Sequence, residues 1–196
     1  MAQIFAYIVH KDGVADDTAL ELVVAAKKLD ASVDAIAVVT GSGAELDTVC
    51  NDVAASYKEV YKIDNEALAY PNAEVVRKAL VNVLPADGIV LVPHTTFGMD
   101  LGPGLSIKMD SAFVADAVDF EGVDGSTLKV VRQEFGGQVS AHMECDISGG
   151  AVINVRPGPF LPDESKSAGG QVVDKSGDAG DLAVGRKYLE IIVPEA

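Results

Sequence analysis

The chain has 196 residues and a mass of 20.3 kDa, with 30 acidic and 15 basic residues and a formal net charge of −15. Because 48% of the residues are apolar and 23% are charged, the composition is that of a globular protein with a well-formed core, and it excludes a disordered chain. The acidic balance argues against binding to nucleic acid, since neutralising phosphates requires clustered lysine and arginine.

The cysteine content and the apolar runs indicate the cellular compartment in which the protein is expected. Cys50 and Cys145 lie far apart and form no C-x-x-C pair, which argues against a disulfide framework or a zinc site. No apolar run reaches the ~18 residues of a membrane span, and the first residues lack the basic region of a signal peptide. We therefore expect a cytoplasmic protein that does not insert into a membrane.

Strand and helix patterns alternate over the first 112 residues, which indicates a parallel sheet with helices on both faces. The predicted strands are 4–9, 33–39, 59–63 and 87–93, and the predicted helices begin near residues 18, 44, 71 and 98. Thr18 and Glu21 form a capping-box pattern at the start of the first helix, in which each side chain would satisfy a backbone donor near the other residue.

After residue 112 the apolar runs are shorter, glycine is more frequent and the patterns alternate. The predicted strands here are 114–118, 128–134, 138–145, 151–155 and 186–193, and residues 158–180 are predicted to be a long loop. Hairpin-like connections are predicted at 122–125, 135–137 and 148–150. We therefore expect one domain, 1–196, with a parallel α/β part, 1–112, and a mixed, largely antiparallel extension of the sheet, 113–196.

Few residues are suited to catalysis. The three histidines, His10, His94 and His142, lack metal-ligand spacing, and no nucleophile elbow is present. His10 and His94 end the first and fourth strands, which are neighbours in a flavodoxin-type order, so they either share a ribose or phosphate contact or are plain polar loop residues. The turn 41–43 lacks the third glycine of a dinucleotide fingerprint. We expect no catalytic residues.

The segment from His94 onward, HTTFGMDLGPGL, is the most informative in the chain. It follows an apolar strand and opens a helix, so Thr95, Thr96 and Gly98 should lie at the mouth of the sheet. Asp100 is expected to cap that helix or to complement its positive end. The segment suits a polar ligand or the backbone of a partner, and equally a plain helix cap with turn glycines.

At this segment the sequence resembles the α subunit of the electron transfer flavoproteins. The family's T-x-x-G-R-D-L-A-P-R-L pattern is matched at Thr95, Gly98, Asp100, Leu101, Pro103 and Leu105. Residues 18–29, 135–141 and 155–160 resemble the family's T-x-E-L-x-x-A-A-x-x-L helix, its Y-G-G-N-A-x-A strand turn and its R-P-G-x-F segment. Met99 and Gly104 stand where the family usually has arginines, so the corresponding contacts with a partner would be altered.

The resemblance implies a three-layer α/β/α fold of the adenine nucleotide alpha hydrolase type. It implies the N-terminal domain of an α subunit that pairs with a β subunit and positions flavin for electron transfer from an acyl-CoA or other flavin dehydrogenase. FAD would be bound mostly by a C-terminal α domain whose signatures are absent from this sequence, and AMP would be bound in the β subunit. The residues expected nearest a cofactor or partner are Thr95, Thr96, Gly98, Asp100, Gly136 and Gly137. The alternative is a standalone AMP- or ATP-binding module of the same fold.

Overall fold

Strands and helices alternate along most of residues 2–194, the part of the chain that the computed structural model describes. In chain order the elements are β1 (Ile4–Tyr7), β2 (His10–Lys11), β3 (Val14–Ala15), α1 (Thr18–Leu29), β4 (Ile36–Gly41), α2 (Gly43–Val53), β5 (Glu59–Asp64), α3 (Ala73–Val83), β6 (Ile89–Pro93), α4 (Thr96–Met109), β7 (Ala112–Asp124), β8 (Thr127–Glu134), β9 (Val139–Asp146), β10 (Ala151–Val155) and β11 (Gln171–Asp174). Strands β2 and β3 pair with each other in a short ribbon, and the other nine strands form one sheet.

The nine strands lie in the order β11-β5-β4-β1-β6-β10-β7-β8-β9. Every pairing from β11 to β10, and that of β10 with the first half of β7, is parallel. The predicted proximity of the first and fourth strands is confirmed, because β1 pairs directly with β6. Strands β1, β4, β6 and β10 are buried throughout, which explains their continuous apolar sequences.

Helices cover both faces of the sheet, so the predicted three-layer α/β/α architecture is confirmed. Alternate side chains of β1 enter different cores: Ile4 and Ala6 pack on the side of α1 and α2, whereas Phe5 and Tyr7 pack on the side of α3 and α4. Because side chains alternate along a strand, one apolar run supplies both cores.

Strand β7 is sharply bent at Asp116, a residue with φ of +60° in the left-handed region. Its first half pairs with β10 and its second half pairs antiparallel with β8, with a register shift at the bend. The second half packs beside α1, where Lys28 and Asp119 form an ion pair at 3.5 Å and Phe120 joins the core. The bend turns the β8–β9 hairpin over the α1 side, and the predicted mixed extension is confirmed.

The predicted hairpin at 148–150 is wrong. The connection joins β9 to β10, but β10 lies between β6 and β7 and pairs in parallel with both. The physical reason is burial: all five residues of β10 are buried, so the strand needs the sheet interior, whereas most of β9 is exposed. The hairpins at 122–125 and 135–137 are confirmed by the antiparallel β7–β8 and β8–β9 pairs.

The C-terminal part of the chain differs most from the prediction. Residues 180–194 contain no strand, so the predicted strand at 186–193 is wrong, and β11 lies within the segment predicted to be a loop. Strand β11 adds in parallel to the edge strand β5. Only Val172 and Val173 indicate a strand here in the sequence. The segment is extended because it pairs with the edge strand β5, and its local composition alone would not predict this.

Residues 179–188, here named the strap, run across α3. Ala179 and Leu182 are buried against the core, and Asn82 Nδ2 donates to the Ala179 carbonyl at 2.6 Å. The Lys78 ammonium donates to the Ala183 carbonyl. Tertiary contacts therefore hold this segment against the helix although it forms no regular element.

The N-terminus of α1 is capped differently from the prediction. Asp16 accepts hydrogen bonds from the Thr18 backbone N–H at 3.0 Å and from the Thr18 hydroxyl at 2.6 Å. Thr18 is the first helical residue, so it cannot serve as the cap that the capping-box pattern requires. The Glu21 carboxylate instead accepts from the Gly158 N–H at 2.7 Å, which ties the loop after β10 to α1.

Candidate functional site

The segment predicted to be functional, residues 95–100, lies where β6 ends and α4 begins. The Thr95 hydroxyl caps α4 by accepting from the Gly98 N–H at 3.3 Å. The expectation that Asp100 caps this helix is wrong, because Asp100 lies more than a turn beyond Thr95. Its half-exposed carboxylate pairs with Arg186 of the strap at 3.2 Å.

Helix α4 approaches the sheet closely because two of its glycines face the strands. A Cβ on Gly98 would lie 1.9 Å from the Pro93 carbonyl oxygen, and one on Gly102 would lie 2.4 Å from Asn154 Oδ1. Asn154 is fully buried in β10, and its Nδ2 donates to the Gly98 carbonyl at 2.9 Å. Sequence reasoning missed Asn154, although a single amide inside the apolar run AVINV was a usable signal.

Four polar side chains meet at the edge formed by the carboxyl ends of β6 and β10 and the bend of β7: His94, Asp116, Arg132 and Arg156, here named the edge cluster. Arg156 binds the Asp116 carboxylate in bidentate fashion, with Nε at 2.8 Å and Nη2 at 2.6 Å. His94 Nε2 lies 3.8 Å from the same carboxylate. Backbone hydrogen bonds hold the neighbouring strands together at this point, because the His94 N–H donates to the Val155 carbonyl and the Arg156 N–H donates to the Ala117 carbonyl.

The electrostatics of the edge cluster favour an ionised Asp116. The hydrogen bonds from Arg156 lower the pKa of the Asp116 carboxyl below its ordinary value, against the opposing effect of burial, and the nearby charges of His94, Arg156 and Arg132 lower it further. The Asp116 side chain is 14% exposed and that of Arg156 is 39% exposed, so water reaches this pair mainly from the arginine side. Sequence reasoning did not identify Asp116 or Arg132, which become neighbours only through the bend of β7.

The edge cluster retains hydrogen-bonding capacity. His94 Nδ1 and Arg132 Nε are buried yet have no hydrogen-bond partner, and the nearest carboxylate oxygen to Arg132 Nε, on Glu134, is 3.7 Å away. Buried polar atoms normally have a partner, so an unpartnered pair at one edge indicates a place where a further acceptor would be stabilising. A carboxylate, a phosphate or a backbone carbonyl would satisfy Arg132 Nε, and would satisfy His94 Nδ1 when that nitrogen carries the proton.

The second predicted segment, Gly136 and Gly137, forms the turn of the β8–β9 hairpin. Both glycines have positive φ, +67° and +87°, and Phe135 before them also has a φ of +50° and is 76% exposed. Arg132 lies three residues before Phe135, and His94 directly precedes Thr95. Each predicted segment thus lies close in the sequence to a member of the edge cluster.

The chain's own side chains pack around the carboxyl end of β1, towards β4 on one side and towards the start of α4 on the other. His10 Nε2 donates to the Thr40 carbonyl at 2.7 Å, and the Tyr7 hydroxyl bonds the Thr40 hydroxyl at 2.8 Å. Phe97 stacks on Tyr7 with ring centroids 5.9 Å apart. A contact shared by His10 and His94 is not what the structure has, since His94 faces Asp116 instead.

Carboxylates also occupy two helix N-termini at this end of the fold. Asp64 Oδ1 accepts from the Gly43 N–H at the start of α2 at 3.2 Å, as Asp16 does at the start of α1. These N–H groups are the ones that bind phosphate in many nucleotide sites. Within residues 2–194, no three His, Cys, Asp or Glu side chains form a group that could hold a metal ion, and none of the helices has the length and apolar character to cross a bilayer.

Comparison with known proteins identifies the family. The model of a family described as the electron transfer flavoprotein domain matches residues 4–179. The chain belongs to the electron transfer flavoprotein domain family. The resemblance recognised in the four sequence segments is thereby confirmed, and the match includes the 95–100 segment, the Gly136–Gly137 turn and the whole edge cluster.

Of three similar relatives, two are named as electron transfer flavoprotein alpha subunits and the third is named Protein FixB. The electron transfer flavoprotein subunit alpha of Megasphaera elsdenii is 28% identical over 145 residues, which are 71% of this chain and 43% of that protein. That of Clostridium acetobutylicum is 25% identical over 163 residues, 80% of this chain and 48% of that protein. Protein FixB of Clostridium saccharobutylicum is 28% identical over 138 residues, 68% of this chain and 41% of that protein. The chain thus spans less than half the length of each of these relatives.

Proposed function

We propose that the chain acts as the N-terminal domain of an electron transfer flavoprotein alpha subunit. It would pair with a beta subunit and position FAD for electron transfer from an acyl-CoA or other flavin dehydrogenase, in the cytoplasm and without catalytic residues of its own. The family match over residues 4–179 and the alpha-subunit names of its relatives support this proposal. The chain's own contribution would be to dock the partner and fix its orientation.

The edge cluster is the observation that supports docking most directly. It combines a rigid, bidentate Arg156–Asp116 pair with unpartnered buried nitrogens on His94 and Arg132. Asp116 and Arg156 are already held by their mutual ion pair and by the sheet backbone, so they would need little ordering when a partner binds, which reduces the entropy cost of binding. An acceptor group of the beta subunit placed here would complete the hydrogen bonding of the cluster.

The residues of the described chain do not fit a self-contained flavin site. A flavin dinucleotide needs donors for its pyrophosphate and a cleft for its ring. Here Asp16 and Asp64 occupy the N-termini of α1 and α2, and Phe97 stacks on Tyr7 at the carboxyl end of β1. We therefore place the main flavin contacts outside this chain's residues 2–194 and assign no electron-transfer step to a residue of this chain.

The same contacts argue against the alternative, a standalone AMP- or ATP-binding module. Two carboxylates at the helix N-termini would repel a phosphate, and the net charge of −15 adds to that repulsion. An enzyme acting through His10 and His94 is disfavoured as well, because the two rings have different partners.

The test is calorimetric titration of the full chain with a beta subunit and, separately, with AMP and ATP. We expect a complex with the beta subunit, a dissociation constant at least tenfold weaker for Arg132→Ala, and no heat with either nucleotide. Arg77→Ala is the matched control, since Arg77 lies on α3 against Gly104 of α4 and is not part of the edge cluster. Micromolar nucleotide binding without any complex would establish the module and refute the docking domain.

A further inference from the structure

Arg132 is a cation of the edge cluster that lacks a close partner. Its Nε lies 3.7 Å from Glu134 Oε1, beyond hydrogen-bond distance, and has no hydrogen-bond partner within residues 2–194. Arg156, by contrast, is held by the Asp116 carboxylate in two hydrogen bonds of 2.8 and 2.6 Å. Because an arginine offers five N–H donors in a planar fork that fits a carboxylate, Arg132 has unused binding capacity.

The sheet holds the backbone of Arg132 in place and leaves its side chain accessible. One register row runs across four neighbouring strands and carries, in order, Pro93 of β6, Val155 of β10, Ala117 of β7 and Arg132 of β8. Strand β8 is paired on both sides, with β7 and with β9. The Arg132 side chain is 30% exposed although its Nε is buried, so a group from outside can approach it. Only this side chain needs to be ordered on binding, which keeps the entropy cost low.

Glu134 supplies the carboxylate nearest to Arg132 Nε. The two residues are two positions apart on β8, so their side chains lie on the same face of the strand. The Glu134 side chain is 36% exposed, and an exposed ion pair at 3.7 Å contributes little to stability. A carboxylate that met the arginine fork in two hydrogen bonds would be a stronger partner. Glu134 is therefore easily displaced from Arg132.

The charges around Arg132 favour a ligand with a single negative charge. Asp116 and Glu134 already bring two carboxylates to this part of the surface, and only that of Asp116 is neutralised by close hydrogen bonds from an arginine. A phosphate group carries about two negative charges at pH 7, so it would be repelled more strongly than a carboxylate. A neutral carbonyl would gain less from the arginine charge. These charges suit the side chain of an aspartate or a glutamate.

We infer that Arg132 exchanges Glu134 for an aspartate or glutamate side chain of the beta subunit when the two subunits pair. Glu134 occupies the position beside the arginine in the free chain and is released to solvent in the complex. The inference rests on the proposed function and deepens it by naming the chemical group that the beta subunit presents and the residue that this group displaces. Because Glu134 competes for the same cation, removing its charge should strengthen the complex, whereas losing Arg132 should weaken it.

The test measures the affinity of variants of the full chain for a beta subunit by calorimetric titration. Glu134→Gln keeps the size of the side chain and removes its charge, so we expect a dissociation constant about threefold lower. In a chain that also carries Arg132→Ala, the same substitution should have no effect, because Glu134 acts through Arg132. Glu144→Gln is the matched control, since it removes the same charge from an exposed residue of β9 opposite Lys129, three residues from Arg132 along β8.

A titration of the chain alone with small anions tests the choice of ligand. Acetate and inorganic phosphate are added at constant ionic strength, with chloride as the reference, while NMR follows the Arg132 Nε–H signal. We expect acetate to shift this signal saturably, phosphate to shift it less at equal concentration, and Glu134→Gln to lower the acetate concentration required. Acetate carries the carboxylate of the inferred ligand without the rest of the beta subunit.

The outcomes separate this inference from the proposed function. A complex whose affinity is unchanged or weakened by Glu134→Gln, or is strengthened equally by Glu144→Gln, overturns the inference and leaves the proposed function standing. Failure of the wild-type chain to bind any beta subunit overturns both. A larger response of the Arg132 signal to phosphate than to acetate, or a response to acetate no larger than that to chloride, overturns the choice of a carboxylate.

Discussion

The two glycines Gly98 and Gly104 of α4 offer a sharp test of how the site segment is positioned. A Cβ on Gly98 would meet the Pro93 carbonyl oxygen at 1.9 Å, and both are backbone atoms that cannot move aside alone. A Cβ on Gly104 would meet Arg77 Nη1 at 2.6 Å, but this is the end of a flexible side chain. Substituting alanine at each position therefore adds the same methyl group against two very different neighbours.

The two substitutions should change the unfolding free energy in opposite directions. For Gly98→Ala, α4 must lift from β6, which costs ~1–3 kcal/mol as overpacking, and the Asn154–Gly98 hydrogen bond is strained, which costs ~1 kcal/mol more. The variant should thus lose ~2–4 kcal/mol of unfolding free energy. Gly104→Ala should gain up to ~1 kcal/mol, because alanine is the better helix former and Arg77 can rotate away.

Urea unfolding at pH 7, followed by circular dichroism, measures both free energies. For a chain of this size each kcal/mol corresponds to roughly 2–4 °C in the thermal midpoint, so the two variants should also separate clearly on heating. A Gly98→Ala variant as stable as the wild-type protein would refute the reasoning, because the close approach of α4 to β6 would then not depend on the glycine. Equal losses in both variants would refute it as well.

Two further predictions concern titratable groups. Because the pKa of Asp116 is lowered in the folded chain, its ionisation stabilises the fold above the pKa of an unfolded aspartate, about 4, and this contribution is lost as the pH falls through the lower folded pKa. Asp116→Asn should therefore be less stable than wild type in urea at pH 7, with the difference shrinking below pH 4, and a constant difference would contradict this. Burial raises the pKa of the Cys50 thiol to about 12, so a thiol reagent at pH 8 should modify partly exposed Cys145 first and Cys50 only after unfolding. Modification of both thiols at equal rates in the folded chain would count against the burial of Cys50.

The parallel part of the fold was predictable because its signals are local. A strand buried on both faces must be apolar throughout, and β1, β4 and β6 each have that sequence. The positions of β10 and β11 were not predictable in the same way. Which strand lies beside which depends on where burial is available in the assembled sheet, and an apolar run such as AVINV fits several positions equally well.

The candidate site was likewise predictable only where its signals are local in the sequence. The position of Thr95 and Gly98 at the start of α4 was predictable because a strand end followed by a helix start is visible in the sequence, and the turn at Gly136 and Gly137 because glycines mark a hairpin turn. Of the edge cluster, sequence reasoning singled out only His94, because the four members lie in or directly after four different strands, β6, β7, β8 and β10. Asp116 and Arg156 are separated by 40 residues and meet only because β10 lies against the bend of β7.

Strand β10 is synthesised after both of the strands that it pairs with, so the sheet can be completed only late in synthesis. Strands β6 and β7 are made first, yet each has its inner hydrogen-bonding edge reserved for residues 151–155. A nascent polypeptide that has not reached Ala151 therefore holds two unsatisfied apolar edges with a gap between them, and such edges invite pairing with neighbouring chains. Closing that gap requires long-range contacts, which form slowly. The chain should therefore be most prone to aggregation during its synthesis, just before β10 leaves the ribosome.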